Sequence, residues 1–173
     1  MSRRDRIAVG ILVFFLVIAA TLELYFILCH HDLPARANTQ LFARLFAIYG
    51  IADRGYFDPV SPLALTLEGI NVFLMQPLCV LLIYAIARRR PYRWPLQLGI
   101  GAYLGLSVVL YFLAAIVSHY DSMPERSGAA FALFYGANLP WLLGYGWLAY
   151  DAGVTIARGF ARSADHSRRA LTT

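Results

Sequence analysis

The stretch IAVGILVFFLVIAATLELYFIL, residues 7–28, decides the fold. A helix rises about 1.5 Å per residue, so about 20 apolar residues carry it across the hydrocarbon core of a bilayer. Only Thr21 and Glu23 interrupt this run. Working outward, three more stretches have the same character. Residues 63–87 are broken by Glu68, Asn71 and Gln76, and residues 96–117 by Gln97, Ser107 and tyrosines. Residues 129–156 carry Asn138 and end near Asp151. The whole chain of 173 residues is 60% hydrophobic and 14% charged, with a mean hydropathy of +0.59. A soluble chain places roughly a quarter of its residues in charge, so this one lacks the polar side chains to cover a globule in water. The pattern predicts an all-α integral membrane protein, a bundle of four transmembrane helices forming one domain over 1–157.

Charge gives the expected orientation. The net charge is +5, and every basic residue is arginine. A pI near 9.5 suits nucleic acid in general, but here the arginines sit at the ends of apolar runs, which argues against nucleic acid as a partner. Eleven lie in the N-terminal tail, the loop between spans two and three, and the tail 158–173; Arg36, Arg44, Arg54 and Arg126 lie on the other side. By the positive-inside rule both termini are cytoplasmic. The membrane is the plasma membrane for a bacterial chain and the endoplasmic reticulum for a eukaryotic one. The competing reading of 3–20 is a secretory signal, with its basic start and Ala19-Ala20, but the apolar run continues to 28, as a span does. The Arg-rich tail 158–173 reads as disordered. Between spans one and two, Leu41, Phe42, Leu45, Phe46 and Tyr49 recur at helical spacing, predicting an amphipathic segment at the membrane surface. Cys29 and Cys79 lack metal or redox spacing, and His30, His31 and His119 lack metal-ligand spacing, so no metal site is expected.

Ionisable residues inside spans are costly and mark candidate function. Counting along helices that run up, down, up and down, Glu23, Glu68, Tyr111, Asn138 and Trp141 all fall in the outer half of one bundle. Helical phase groups them further: Glu68, Asn71 and Met75 share a face, as do Tyr103, Ser107 and Tyr111, and Asn138, Trp141 and Tyr145. Three such stripes would line an apolar cavity with a few fixed polar groups. Gly101 and Gly105 form a small-residue pair that lets another helix approach closely. A carboxylic acid kept from water can stay protonated and donate a proton, a second carboxyl can remove one from a neighbouring carbon, and a Trp face can stabilise the cation between these events. Glu23, Glu68, Asn138 and Trp141 are therefore the candidate catalytic residues, and Asn71, Met75, Tyr103, Ser107, Tyr111 and Tyr145 the candidate ligand contacts. The chemistry is a shift of a carbon-carbon double bond that needs no cofactor. The bland readings of the same residues are headgroup-level carboxylates, interhelical amide bonds and core packing.

Taken in order along the chain, these residues also resemble the emopamil-binding protein family, the EXPERA-type membrane proteins that include the sterol Δ8-Δ7 isomerase. Glu23-Leu24-Tyr25-Phe26 is similar to the family's Glu-Gly-Trp-Phe, and the run Tyr49 to Tyr56 is similar to its Tyr-Ala-x-x-Asp-x-Arg-Tyr. Glu68 with Pro77-Leu78, Arg93 with Leu96-Gln97-Leu98, Leu110-Tyr111-Phe112-Leu113, Asn138-x-x-Trp141 and Asp151-Ala152 keep the family's register. The resemblance implies a membrane cavity for a sterol-like ligand, with Glu23, Glu68, Asn138 and Trp141 at the isomerase's functional positions. The chain departs from the isomerase at Ala19, where the family enzyme has His, at Asn71, where it has a hydroxyl residue, and at Val108, where it has an acid. Two functions are expected from these residues: an isomerase acting on a sterol or other polycyclic isoprenoid, or a non-catalytic sterol- and lipid-binding protein using the same cavity. Membrane lipid is a partner in either case, and a homodimer is an arrangement the sequence allows.

Overall fold

The computed structural model describes residues 1–170, and side chains through residue 164. Among the described residues there is no strand; the chain is built from helices. Helix α1 (Arg3–Cys29) is capped by Ser2, whose hydroxyl accepts from the Asp5 N–H while the Asp5 carboxyl accepts from the Ser2 N–H, a reciprocal capping box. Two short helices come next, α2 (Leu33–Arg36) and α3 (Leu41–Tyr49), then a single 3₁₀ turn at Arg54–Tyr56. Helix α4 (Pro62–Ala87) starts with Ser61 as N-cap and Pro62 at the first helical position, where a missing N–H costs nothing. Helix α5 (Arg93–Val117) and the long α6 (Gly128–Ala170) complete the chain.

α1, α4 and α5 are long and apolar enough to cross a membrane. α6 is longer, but Gly136, Asn138, Pro140, Gly144 and Gly146 dilute its apolar character. The outer surface of the helices is itself apolar: Phe14, Val17, Phe73, Leu74, Leu106, Leu110 and Leu143 are all exposed. A surface of that kind has no soluble solution and fits lipid. The helix runs to Ala170, and residues 171–173 of the tail expected over 158–173 lie outside the described residues.

Helices α5 and α6 make the most extensive packing contact, and a glycine permits it. A Cβ at Gly101 would stand 2.6 Å from the Ala149 nitrogen and 2.7 Å from the Tyr145 carbonyl oxygen. α1 packs on the second half of α4, which in turn packs on α5. At the end carrying the N-terminus, Arg93 of α5 holds Asp5 of α1 at 2.5 Å, Arg4 reaches Asp151 of α6 at 3.5 Å, and the buried Gln97 amide donates to Asp151 and to the Leu148 carbonyl. These bonds tie the start of α1, the start of α5 and the middle of α6 into one cluster.

Two apolar clusters fill the bundle. The one nearer the termini joins Leu12 and Phe15 to Met75, Cys79, Leu82, Ile100, Leu104, Tyr145 and Leu148. The one nearer the loops joins Phe26, Ala43, Phe46, Tyr56, Tyr111 and Phe134. Helix α3 belongs to this second cluster: Ala43 and Phe46 are buried in it, while Leu41 and Ile48 face outward. The surface segment expected between the first two spans thus has one face in the core.

Gly101→Ala is expected to wedge α5 from α6 and lower stability by about 1–3 kcal/mol. Gly99→Ala, where nothing lies within 4 Å, should leave stability unchanged or raise it. Thermal unfolding midpoints in one detergent compare the two; equal midpoints would mean that the close α5–α6 contact is not what the helices depend on.

Candidate functional site

Between the two apolar clusters lies a layer of polar side chains, and both helices that supply it widen there. In α1 the residues Ala19–Glu23 form a π-helical turn, and in α4 the residues Asn71–Met75 form a second. A π turn inserts an extra residue into the helix and rotates the later turns, which is why such turns gather at sites that must present a side chain out of the regular phase. The two turns pack against each other. Asn71 donates from Nδ2 to Glu23 Oε2 at 2.6 Å, and Gln76 donates from Nε2 to Asn71 Oδ1 at 2.9 Å. Glu23, Asn71 and Gln76 are all buried.

Glu68 stands beside Glu23, and the two carboxyl groups lie within interaction range of each other. Its Oε1 accepts from the Tyr56 hydroxyl at 2.8 Å. Among the described residues no arginine forms an ion pair with either carboxyl group. Two acids are therefore held in an apolar interior by neutral donors alone.

A second set of bonds comes from the loop segment. Asp53 accepts from the Gly55 N–H at 2.8 Å and from the Tyr111 hydroxyl. Tyr111 meets the Tyr49 hydroxyl at 3.3 Å, and Tyr49 accepts from Asn138 Nδ2 at 2.8 Å. Burial pushes the Tyr49 phenol up to about 12, so it remains an O–H throughout the physiological range.

These groups surround a cavity in two parts. One part opens between α4, α5 and α6 and is lined by Leu67, Asn71, Tyr103, Leu104, Ser107, Val108, Tyr111 and Tyr145. The other opens between α1, α3 and α6 and is lined by Ile18, Leu22, Phe26, Leu45, Phe46 and Tyr49. Glu23, Tyr56, Glu68, Asn138 and Trp141 line both parts. The polar layer is thus the waist shared by two adjoining lobes.

Nine of the ten residues singled out in the sequence line this cavity. Met75 does not; it packs into the apolar cluster nearer the termini. The seven-residue spacing from Glu68 to Met75 passes through the π turn, which shifts Met75 off the face it would share in a regular helix. Ser107 lines the wall, but its hydroxyl is spent on the Leu104 carbonyl at 2.7 Å. Tyr103 lies at the rim, 40% exposed. Trp141 is stacked on Phe15, with ring centroids 4.0 Å apart and planes 19° from parallel, so one of its faces is covered. Ala19 is fully buried at the start of the first π turn.

Sequence reasoning missed Tyr49, Asp53, Tyr56 and Gln76 as parts of the site. Gln76 carried a signal, a polar residue inside an apolar run. The other three lie in the segment expected at the membrane surface, where polar and aromatic side chains need no special explanation.

Comparison with known proteins covers most of this site. A family model described as EXPERA (EXPanded EBP superfamily) matches residues 41–152, which include α3, the Asp53 turn, Glu68, Tyr111, Asn138 and Trp141. The chain belongs to this family. Among similar EXPERA proteins, a probable 3-beta-hydroxysteroid-Delta(8),Delta(7)-isomerase of Arabidopsis thaliana is 30% identical over 122 residues, 70% of this chain and 53% of the relative. An isomeliandiol synthase of Ailanthus altissima is 27% identical over 112 residues, 65% of this chain and 52% of the relative. The chain spans about half the length of these curated relatives. Family membership and the three apolar helices make this an integral membrane protein.

Asn71→Leu should leave the Glu23 oxygen and the Gln76 amide without partners and cost about 1–3 kcal/mol for each orphaned group. The check is thermal unfolding of the purified variant in detergent. An unchanged midpoint would mean that the Glu23–Asn71–Gln76 bonds do not hold the two π turns together.

Proposed function

We propose that this protein is a membrane-embedded isomerase that moves a carbon-carbon double bond in a sterol or other polycyclic isoprenoid by adding a proton at one carbon and removing one from a neighbour. The observation that carries this reading is the pair Glu23 and Glu68, two carboxyl groups side by side at the waist of an apolar cavity, with no ion pair to either among the described residues. Two carboxylates so placed cannot both be ionised at acceptable cost, so the pair holds a proton between them. One carboxyl gives that proton to the double bond, which leaves a carbocation; the other takes a proton from the adjacent carbon, and the double bond re-forms one position along. The proton gained equals the proton lost, and the pair is restored by transfer between the two neighbours. No redox step or co-reactant enters this balance.

Around the pair, the open side of the Trp141 ring supplies a negative face for the cation. Phe15 holds that ring in place from behind. The Tyr56 hydroxyl and the Asn71 amide orient the two carboxyls. The apolar walls exclude water that would otherwise capture the cation. The two lobes suit a long rigid ligand whose reacting bond lies in its interior, with apolar rings on either side. The names of the two relatives, a sterol isomerase and an isomeliandiol synthase, point to the same class of ligand. In this reading α6 is the fourth span, residues 1–157 form the catalytic domain, and both termini with the arginine-rich 88–93 loop face the cytoplasm. The candidate catalytic residues are Glu23, Glu68, Asn138 and Trp141, with Asn71, Tyr103, Ser107, Tyr111 and Tyr145 contacting the ligand.

One observation favours a second reading, a sterol-binding protein without catalysis. Ala19 fills with a methyl group the place where the family enzyme carries a histidine, so the proton-handling set is one member smaller. Expression in a sterol-isomerase-deficient yeast strain, with sterol profiling, distinguishes the two. The isomerase converts accumulated Δ8 sterols to Δ7 sterols and, in deuterated water, leaves label at the ring carbons; a binding protein does neither. Glu68→Gln and Glu23→Gln should each reduce conversion by about 10²–10⁴-fold, the usual contribution of a positioned acid or base. Full activity in the double variant would overturn the mechanism.

A further inference from the structure

We propose that Asp53, in the turn after α3, is a positioning residue that sets the hydrogen-bond polarity of the cavity, so that Asn138 presents only an acceptor oxygen there and selects ligands carrying a hydroxyl group. The inference rests on the cavity being the ligand site proposed above and goes beyond it by assigning a specificity device.

A carboxylate accepts hydrogen bonds and cannot donate them, so the direction of every bond in this chain is set from Asp53. Asp53 uses Oδ1 for the Gly55 N–H, and Oδ2 receives the Tyr111 hydroxyl proton. With that proton committed, the Tyr111 oxygen can meet Tyr49 only as an acceptor, so the Tyr49 proton points towards Tyr111. The Tyr49 oxygen is then free to accept, and it receives an N–H of Asn138 at 2.8 Å. The second N–H of the same amide goes to the Phe134 carbonyl, also at 2.8 Å. A backbone carbonyl is an acceptor only, so this bond independently places Nδ2, and not Oδ1, on that side. Both Asn138 donors are consumed. Its Oδ1 has no hydrogen-bond partner among the described residues, and the residue lines both lobes of the cavity.

The chain of bonds thus begins at a buried carboxyl group in a loop and ends at an unfilled acceptor inside the bundle. Its neighbours reinforce that polarity. The Tyr56 hydroxyl is already given to Glu68, and the Asn71 amide to Glu23. A ligand hydroxyl beside Asn138 completes the chain with an O–H···O bond. A ketone at the same position sets two acceptors against each other, and both lose their hydrogen bonds to water without replacement.

Asp53→Asn isolates this effect. The amide keeps an oxygen for the Gly55 N–H, so the turn survives, but it puts a donor where Oδ2 was. Tyr111 then accepts from residue 53 and turns its proton to Tyr49, and Tyr49 is left with a donor facing the Asn138 N–H. The conflict is relieved by rotating the Asn138 amide, which brings its N–H₂ into the cavity. Tyr111→Phe cuts the chain at its centre and releases Tyr49 in the same way.

The test uses the purified full chain in nanodiscs and a matched pair of probes, a Δ8-3β-hydroxysterol and its 3-ketone, titrated by tryptophan fluorescence. The wild-type protein should bind the alcohol at least about tenfold tighter than the ketone, the usual scale for leaving a buried polar group unpaired. In Asp53→Asn and in Tyr111→Phe that ratio should collapse towards one or invert, and in Asn138→Leu it should vanish. If Asp53→Asn does not fold, Tyr111→Phe carries the same comparison. Wild-type protein that binds both probes equally would overturn the inference while leaving the cavity as the ligand site. Variants that weaken both probes alike, with the ratio kept, would reduce Asp53 to a structural residue and overturn it too. Wild-type protein that binds neither probe would remove the proposed sterol function and the inference with it.

Discussion

Two carboxyl groups in an apolar interior, without a counter-ion among the described residues, are the constraint to which the rest of the bundle answers. A charged group moved from water into a low-dielectric interior is prohibitive unless it is paired, protonated or surrounded by hydrogen bonds. This chain has fifteen arginines, yet the ion pairs of the bundle, Arg93 with Asp5 and Arg4 with Asp151, sit at the end carrying the N-terminus, away from Glu23 and Glu68. The groups around the acids are neutral instead: an asparagine, a glutamine and a tyrosine. A salt bridge would hold each carboxylate charged and spent. Neutral donors impose no such charge.

Helix geometry serves the same end. A regular α-helix satisfies all its backbone groups internally and offers its side chains at a single phase, which suits lipid but gives little choice about where a polar side chain points. The π turns at Ala19–Glu23 and Asn71–Met75 relax that phase in the two helices that carry the acids, and only there among the described residues. Each turn has one apolar cluster on either side to hold it. The close α5–α6 contact at Gly101 forms the opposite wall. The cavity lies between the closely packed α5–α6 pair, the α1–α4 pair joined at its π turns, and the short loop helix α3.

That loop segment is the least expected part of the architecture. Tyr49, Asp53 and Tyr56 come from the connection between α1 and α4, yet Asp53 and Tyr56 are buried and all three bond to residues of the long helices. The connection is a lid whose underside is part of the candidate site. Within it Tyr49 packs edge-on against Tyr56, and Tyr56 in turn against Tyr111 of α5, with centroids 5.4 and 5.9 Å apart at 84°, so the lid is packed onto the bundle.

By itself the amino-acid sequence determined the helical fold, the membrane environment, the run of the chain back and forth, and the common depth of Glu23, Glu68, Tyr111, Asn138 and Trp141. The physical reason is that these depend on local quantities: the length of apolar runs, the rise per residue, and the cost of an ionisable group in lipid. Only the tertiary structure decided which side chains meet. Met75 leaves the face that its spacing assigned because the π turn at Asn71 changes the phase, and that turn packs against, and bonds to, the π turn of α1 far away in sequence. Trp141 has one face covered because Phe15 arrives from α1, which no spacing within α6 encodes. Asp53 enters the site because the loop folds inward over Phe26 and Tyr111, and burial of that kind is set by the partner surface. Local periodicity places a residue on a helix and at a depth; rotation of one helix against another, and the course of a loop, are settled by contacts between parts of the chain far apart in sequence.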